Sequence, residues 1–306
     1  MSTYFSLIIP CYNEEEVITK AYNQITEDLK ILNENYELIF VNDGSKDNTW
    51  NILKAFASND KRVKLISLSR NFGQEAALRA GLENAKGEYI GFIDADLQDP
   101  PSLLPEMIQK LKDGADVCYG QRTHRNGETK LKLITSDLYY RVFNYLSDIP
   151  NPRNVSNFRV FTRRVADQLI ALKEQSQSLR SMVTFIGYKQ VPMPFDRPER
   201  AEGKTKYTFK KLISLAEDGI VAFSSKLPRI PIIFGVITGF LTLFFILLSI
   251  FNVKLGTNIN IIFNSLYTTL ILASLGVLGI YLNKVYANTK NRPIYIIDEM
   301  INFEED

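Results

Sequence analysis

Along the first 120 residues, short apolar runs alternate with stretches whose apolar residues recur at helical spacing. The apolar runs predict five strands, at 5–9, 36–41, 63–68, 89–93 and 115–119. The periodic stretches predict four intervening helices, at 14–32, 49–56, 74–84 and 103–112. Right-handed crossovers between such strands give a doubly wound, Rossmann-like and mostly parallel α/β sheet with helices on both faces.

The carboxyl-terminal third has a different pattern, because charged residues almost disappear from it. Ile230 to Phe251 is uncharged, and so is the run 261–283. As helices, both are long enough to cross a hydrocarbon core of roughly 30 Å. We therefore predict two transmembrane helices, at about 230–252 and 261–284, joined as a hairpin. The alternative is a helical hairpin buried in a soluble protein, where uncharged runs of this length are rare.

Basic residues flank the predicted hairpin, and only Lys254 lies between its helices. The flanking residues are Lys204, Lys206, Lys210, Lys211, Lys226 and Arg229 before it, and Lys284, Lys290 and Arg292 after it. The positive-inside rule puts the α/β domain and both termini in the cytoplasm.

The predicted domains are an α/β domain at 1–204, a juxtamembrane segment at 205–229, the helices within 230–286, and a cytoplasmic tail at 287–306. Residues 207–227 carry an apolar stripe at helical spacing. This stripe either lies in the membrane interface or packs against the α/β domain.

Charge and cysteine content narrow the functional classes. The chain has 36 Lys and Arg against 34 Asp and Glu, so its net charge gives no reason to expect a nucleic-acid partner. Cys11 and Cys118 are far apart and lack the spacing of metal ligands. We expect both to be reduced, buried thiols.

Polar and charged residues follow the predicted strands, where ligands of such sheets bind. Asp94 and Asp96 are two positions apart after the fourth strand, so both carboxylates can face one divalent cation. Mg²⁺ or Mn²⁺ suits such oxygen ligands, and Gln98 offers a further carbonyl oxygen. The alternative is that these are solvated loop carboxylates.

The first two strands are followed by residues suited to a nucleotide. Asp43 offers an acceptor to a base or ribose, and Pro10, Tyr12 and Glu14 can form a slot beside it. Capping of a helix explains Asn13 almost as well.

Arginines between the sheet and the membrane suit phosphate, because their guanidinium groups bind it through two parallel hydrogen bonds. Arg122, Arg159 and Arg200 are the candidates. Lys210 and Lys211 are better explained by contact with anionic lipid.

Seven motifs, and the order in which they follow one another, closely resemble those of inverting glycosyltransferases of the GT-A fold, family 2. They are PCYNE (10–14), VNDGSKDNT (41–49), LSRNFGQEAALRAGL (68–82), DADLQDPP (94–101), GQRTHR (120–125), NFR (157–159) and RPERAEGKTKY (197–207). The likeness is greatest to the polyprenyl-phosphate glycosyltransferases, which include bactoprenol glucosyltransferases and dolichol-phosphate mannose synthase. It runs through nearly the whole chain, including the hairpin.

The resemblance implies a hexosyltransferase that moves a sugar, from UDP-glucose or UDP-GlcNAc, to undecaprenyl or another polyprenyl phosphate at the bacterial plasma membrane. It implies a metal, Mg²⁺ or Mn²⁺, on Asp96 with Asp94 and Gln98 nearby. It also implies nucleotide contacts from Pro10, Tyr12, Glu14 and Asp43. Arg122, Arg159, Arg200 and Lys204 would hold the acceptor phosphate. Self-association is a further implication.

Two positions depart from the family pattern. Asn42 stands where relatives usually have Asp, and Asn157 stands where bactoprenol glucosyltransferases commonly have an Asp proposed as the base. Asn157 cannot take a proton. A phosphate monoester has a second pKa near 6, so the acceptor is largely a dianion and can attack without a base.

Other functions remain to be weighed. A processive polysaccharide synthase would carry a Gln-X-X-Arg-Trp motif, but the one tryptophan is Trp50. A nucleotidyltransferase has no use for the hairpin. A mannose synthase that uses GDP-mannose, and an inactive membrane-tethered binder of nucleotide sugars, both stay open.

Overall fold

The computed structural model describes residues 3–123, 155–172, 179–196, 230–250 and 257–303. The described residues form two compact units. The first holds the α/β domain together with residues 293–303, and the second holds 230–250 and 257–292. The predicted juxtamembrane segment at 205–229 lies outside the described residues.

The strands of the first unit form one sheet. They are β1 (Phe5–Cys11), β2 (Tyr36–Asn42), β3 (Val63–Leu68), β4 (Tyr89–Phe92), β5 (Val117–Arg122), β6 (Val155–Thr162), β7 (Gln190–Phe195) and β8 (Ile297–Ile301). The α-helices of this unit are α1 (Ile18–Leu29), α2 (Thr49–Asn59), α3 (Gln74–Asn84), α4 (Leu104–Lys112), α5 (Arg163–Ala171) and α6 (Leu179–Ile186). The five predicted strands and four predicted helices correspond to β1–β5 and α1–α4, with shifts of a few residues at their ends.

The strand order is β7-β5-β6-β4-β1-β2-β3-β8. β1 pairs in parallel with both β2 and β4, so the chain reverses its direction of winding beside β1. β6 is antiparallel to β4 and β5, and β8 is antiparallel to β3. Four of the seven pairings are parallel, so the expected α/β class with a mostly parallel sheet is confirmed.

Both faces of the sheet are buried, which explains why its strands are continuous apolar runs. Along β1, Phe5, Leu7 and Ile9 pack with α1 and α4 on one face. Ile8 packs with α3 and α5 on the other face. Burial of each such side chain contributes about 1.5–3 kcal/mol, so the strand ends are held firmly for the loops that follow.

The segment predicted as a tail returns to the sheet. Ile297–Ile301 forms β8, which pairs with β3 at one end of the sheet. The Tyr295 hydroxyl donates a hydrogen bond to Glu83 of α3. Residues on both sides of the apolar third therefore belong to the same sheet.

The second unit contains two apolar helices, α7 (Ile230–Ile250) and α8 (Thr257–Thr289). The Tyr267 hydroxyl of α8 donates to the Thr238 carbonyl of α7 over 3.4 Å. Among the described residues, one stretch, Leu266–Thr289, is long and apolar enough to cross a membrane. The second predicted span is thus supported, and the two-span hairpin stays a prediction.

Candidate functional site

β1, β2, β3 and β4 are parallel, so the loops that follow them lie at one edge of the sheet. The winding direction reverses at this edge, which is where such sheets form a crevice for ligands. Pro10 lies in β1, and Tyr12 and Glu14 follow that strand; all three are partly exposed. Their position agrees with the predicted nucleotide slot, and their contacts to a nucleotide stay a prediction.

The first two loops are joined by hydrogen bonds. The Asn13 backbone N–H donates to Ser45 Oγ over 3.0 Å, and Asn13 Oδ1 accepts the Lys46 N–H over 2.8 Å. The Glu14 N–H donates to Thr49 Oγ1 over 2.9 Å. Because α1 begins only at Ile18, Asn13 fixes the neighbouring loop instead of capping that helix.

Asp43 ties the second loop to the third. It is 3% exposed, and its two carboxylate oxygens accept the N–H groups of Phe72 over 2.6 Å and Gly73 over 2.8 Å. Its own N–H donates to the Cys11 carbonyl over 2.9 Å. The structure thus gives Asp43 an architectural role that sequence analysis missed, and its contact with a base or ribose stays a prediction.

Asn42, the first departure from the family pattern, is also explained by packing. Its Nδ2 donates to Ser67 Oγ over 3.1 Å, and its Oδ1 accepts the Ser45 N–H over 3.1 Å. The amide is both donor and acceptor, and an aspartate cannot donate when ionised. Asn42 therefore links β2, β3 and the turn.

The fourth loop brings together the predicted metal carboxylates. Gln74, the first residue of α3, donates from Nε2 to Asp94 Oδ1 over 2.6 Å. Asp96 Oδ1 accepts the backbone N–H of Gln98 over 3.1 Å. Leu97 between them has φ +56, which is rare for a bulky side chain and is typical of strained functional loops. The Gln98 side chain is buried, and its binding to a metal stays a prediction.

The electrostatics of this loop suit a divalent cation. Burial, followed by the nearby carboxylates of Asp99 and Asp96, raises the pKa of Asp94 to about 7, although Arg122 and Arg180 oppose the shift. The described residues contain no cluster of three or more His, Cys, Asp or Glu side chains that could hold a metal. A cation held by Asp94 and Asp96 would need further oxygens from a ligand or water.

Two predicted arginines lie on the strands next to this loop. Arg122 ends β5, and its Nη2 is 3.6 Å from Oδ1 of the buried Asp99. Arg159 of β6 lies opposite Phe92 of β4 and is 3% exposed. Its guanidinium donates to the main-chain carbonyls of Ser156 over 3.0 Å and Asn157 over 3.3 Å.

Sequence analysis missed a third arginine. Arg180 of α6 donates from Nη2 to Asn157 Oδ1 over 3.2 Å. Burial, followed by the positive charge of Arg180, lowers the pKa of Arg159 to about 9, and Glu75 opposes this shift. Arg122 and Arg180 thus act on the carboxylates of this loop, and Arg159 lies beside Arg180. Arg200 and Lys204 lie outside the described residues.

The chain is similar in sequence to several known proteins. Residues 6–170 match the family described as "Glycosyl transferase family 2". The chain is 41% identical over 306 residues to "Uncharacterized glycosyltransferase YkcC" of Bacillus subtilis (strain 168), covering 98% of this chain and 95% of that protein. It is 34% identical over 298 residues to "Bactoprenol glucosyl transferase" of Shigella phage SfII, covering 95% and 96% respectively.

One solved structure with a similar chain path is glucosyl-3-phosphoglycerate synthase from Mycobacterium tuberculosis, in complex with Mn²⁺, uridine diphosphate and phosphoglyceric acid. It is 20% identical, with a TM-score of 0.48, and the match covers 72% of this chain and 76% of that one.

Proposed function

The chain belongs to glycosyl transferase family 2, and on that premise we propose that it moves a sugar from a nucleotide donor to polyprenyl phosphate. The observation that carries the proposal is that Asp94 and Asp96 lie beside Arg122 and Arg159 at one edge of the sheet. Carboxylates that suit a metal and arginines that suit a second phosphate are what such a transfer requires. We favour UDP-glucose or UDP-GlcNAc as the donor.

Asp94 and Asp96 belong to the donor side of the proposed site. A bound Mg²⁺ or Mn²⁺ would stabilise the charge of the departing nucleoside diphosphate. The chain's own residues prepare for this, because Gln74 fixes one oxygen of Asp94 and the backbone turns at Leu97, where φ is positive. Tyr12 and Glu14 supply the partly exposed surface on which the nucleotide would lie.

The acceptor side is formed by Arg122 and Arg159, with Arg200 and Lys204 added from the sequence motif. A phosphate monoester is mostly dianionic near pH 7, so its oxygen can attack the anomeric carbon without first losing a proton. The arginines would align that oxygen for in-line displacement with inversion. Asn157, which cannot act as a base, is compatible with this route.

The lipid acceptor is supported by the apolar helices and by the relative named bactoprenol glucosyl transferase. Large apolar side chains of α7 and α8 are exposed, among them Ile232, Phe240, Leu272 and Leu282. In a lipid bilayer such apolar surfaces can stay exposed.

We propose that both helices cross a bacterial plasma membrane and that the α/β domain lies on the cytoplasmic side. β7 and β8 share one sheet, so the segment between them must cross an even number of times.

The proposal is tested by incubating the purified full chain with labelled UDP-sugars, undecaprenyl phosphate and Mn²⁺. We expect labelled lipid with at least one donor, and identification of the lipid by mass spectrometry gives the sugar. Asp96→Ala should lower turnover by about 100-fold or more, since a lost metal contact costs several kcal/mol in the transition state. Asp113→Ala, which removes an exposed carboxylate on another loop, should leave turnover unchanged.

Two other outcomes point to different functions. Lipid labelled from GDP-mannose alone would identify a mannose synthase. Binding of nucleotide without transfer from any donor would identify the membrane-tethered binder that Asn157 suggests. Full activity of Asp96→Ala would contradict the metal assignment.

A further inference from the structure

Arg180 and Arg159 are two neighbouring cations; the nearby carboxylates are Glu75, which acts on Arg159, and Asp94, which is influenced by Arg180. Arg159 donates to main-chain carbonyls, and it makes no ion pair with a carboxylate among the described residues. Arg180 donates to the neutral amide oxygen of Asn157, and its buried Nε has no hydrogen-bond partner in the described part of the chain. Each guanidinium therefore retains both positive charge and unused donors.

A bound anion that accepts hydrogen bonds from both guanidinium groups would stabilise this arrangement. Two like charges in a partly buried site repel each other more strongly than they would in water, and a buried donor without a partner costs about 1–3 kcal/mol. The proximity of Arg180 is one cause of the lowered pKa of Arg159. A phosphate group has the charge and the oxygens to satisfy both guanidinium groups at once.

Asn157 sets the charge of this site. Its side-chain oxygen holds Arg180 in place but carries no charge to neutralise it. An aspartate at the same position would form a salt bridge with Arg180 and reduce its attraction for another anion. The amide thus orients the guanidinium and leaves it free to bind phosphate.

We propose that Arg180 binds a phosphate oxygen of the acceptor together with Arg159, and that Asn157 is the positioning residue that holds Arg180 for this contact. The inference rests on the proposed function, because it names a contact for its acceptor. Asn157 is then part of the phosphate site, and its presence does not mark the loss of a catalytic base.

The first test compares Arg180→Gln and Arg180→Lys with the unchanged chain in steady-state assays, with undecaprenyl phosphate and the nucleotide sugar varied separately. We expect Arg180→Gln to raise KM for undecaprenyl phosphate about 10-fold or more, while KM for the donor stays within about twofold. Arg180→Lys keeps the charge but loses the planar fork, so its KM should be intermediate. Lys20→Gln, which removes an exposed cation from α1, should change neither KM.

The second test is Asn157→Asp, which keeps the size of the side chain and adds one negative charge. Our inference predicts a rise of about 10-fold in KM for undecaprenyl phosphate, with no gain in kcat. If residue 157 is instead the site of a missing base, Asn157→Asp should raise kcat. A rise in kcat, or a rise in donor KM caused by Arg180→Gln, would overturn the inference.

Binding without turnover separates this inference from the proposed function. Titration calorimetry with farnesyl phosphate should give an affinity about 10-fold weaker for Arg180→Gln and Asn157→Asp than for the unchanged chain. If the unchanged chain transfers no sugar but shows this pattern, the proposed function fails and the phosphate site stands. Unchanged farnesyl phosphate affinity in variants that still bind UDP overturns the site alone.

Discussion

The contact between Gln74 and Asp94 illustrates how single residues determine this site. Asp94 lies near the carboxylates of Asp99 and Asp96 and near the guanidinium groups of Arg122 and Arg180, so a direct hydrogen bond is needed to fix the orientation of its carboxylate. Gln74 Nε2 donates that hydrogen bond, at 2.6 Å from Oδ1. Partners of this kind orient ligands of a metal, and their loss typically costs 10–100-fold in metal affinity or activity.

We therefore expect Gln74→Leu to raise the Mn²⁺ concentration needed for half-maximal activity by about 10–100-fold. The leucine has a similar volume but cannot donate, so the change removes the hydrogen bond and little else. Gln109→Leu is the matched control, because the exposed Gln109 side chain likewise donates one hydrogen bond, to the exposed Asp113 over 2.9 Å, in the described part of the chain. Equal Mn²⁺ dependence in the two variants would contradict the role given to Gln74.

Sequence reasoning found the carboxylates but missed Gln74 and Arg180, for a physical reason. Asp94 and Asp96 are neighbours in sequence, and their spacing alone predicts a shared direction. Gln74 and Arg180 contact residues 20 and 23 positions away, and only the folded chain brings those pairs together. The same holds for Asn42, whose two-sided hydrogen bonding depends on β3 lying beside β2.

At the scale of elements, the site depends on how closely two loops approach each other. Gly44 has φ +66, and a Cβ built there would lie 2.6 Å from the Arg70 carbonyl carbon and from the Asn71 nitrogen. The loop it touches is the one that Asp43 holds through Phe72 and Gly73. Glycine thus permits the contact that brings the second and third loops together.

Gly44→Ala should destabilise the α/β unit by more than backbone strain alone explains. Gly114 provides the comparison, since its φ is +94 and nothing lies within 4 Å of a Cβ there. Strain costs each variant about 1–2 kcal/mol, and the clash at Gly44 adds about 1–3 kcal/mol. Thermal unfolding followed by Trp50 fluorescence should give a Tm several degrees lower for Gly44→Ala than for Gly114→Ala. Equal Tm values would mean that the loops separate at no cost.

The helices and strands that could be predicted from the sequence differ in their local residue pattern from those that could not. α3, expected at 74–84, is found as Gln74–Asn84, and its residues 76–82 are buried in succession between its polar ends. β7 was not predicted, since Pro192 and Pro194 argue against a strand. The sheet accommodates both because β7 lies at its end. β8 was missed because its pairing with β3 is set by residues more than 200 positions away.

For the whole molecule, the return of the chain through β8 limits how it can cross a membrane. β7 and β8 belong to the same sheet, so whatever lies between residues 195 and 297 must leave and return on one side. A single crossing by Leu266–Thr289 would place β7 and β8 on opposite sides of the membrane, which their shared sheet excludes. The proposed topology therefore assigns the second crossing to α7, the other apolar helix among the described residues.

Labelling of single introduced cysteines with a membrane-impermeant maleimide tests this topology in intact cells. The native thiols give little background, because Cys11 and Cys118 are buried and burial raises the pKa of both, that of Cys118 to about 12. We expect Lys254→Cys, between the helices, to be labelled in intact cells. Lys20→Cys of α1 and Asp298→Cys of β8 are exposed positions and should be labelled only after permeabilisation. If Lys20→Cys stays protected, labelling of Asp298→Cys without permeabilisation would contradict an even number of crossings. Protection of Lys254→Cys together with Lys20→Cys would mean that α7 does not cross.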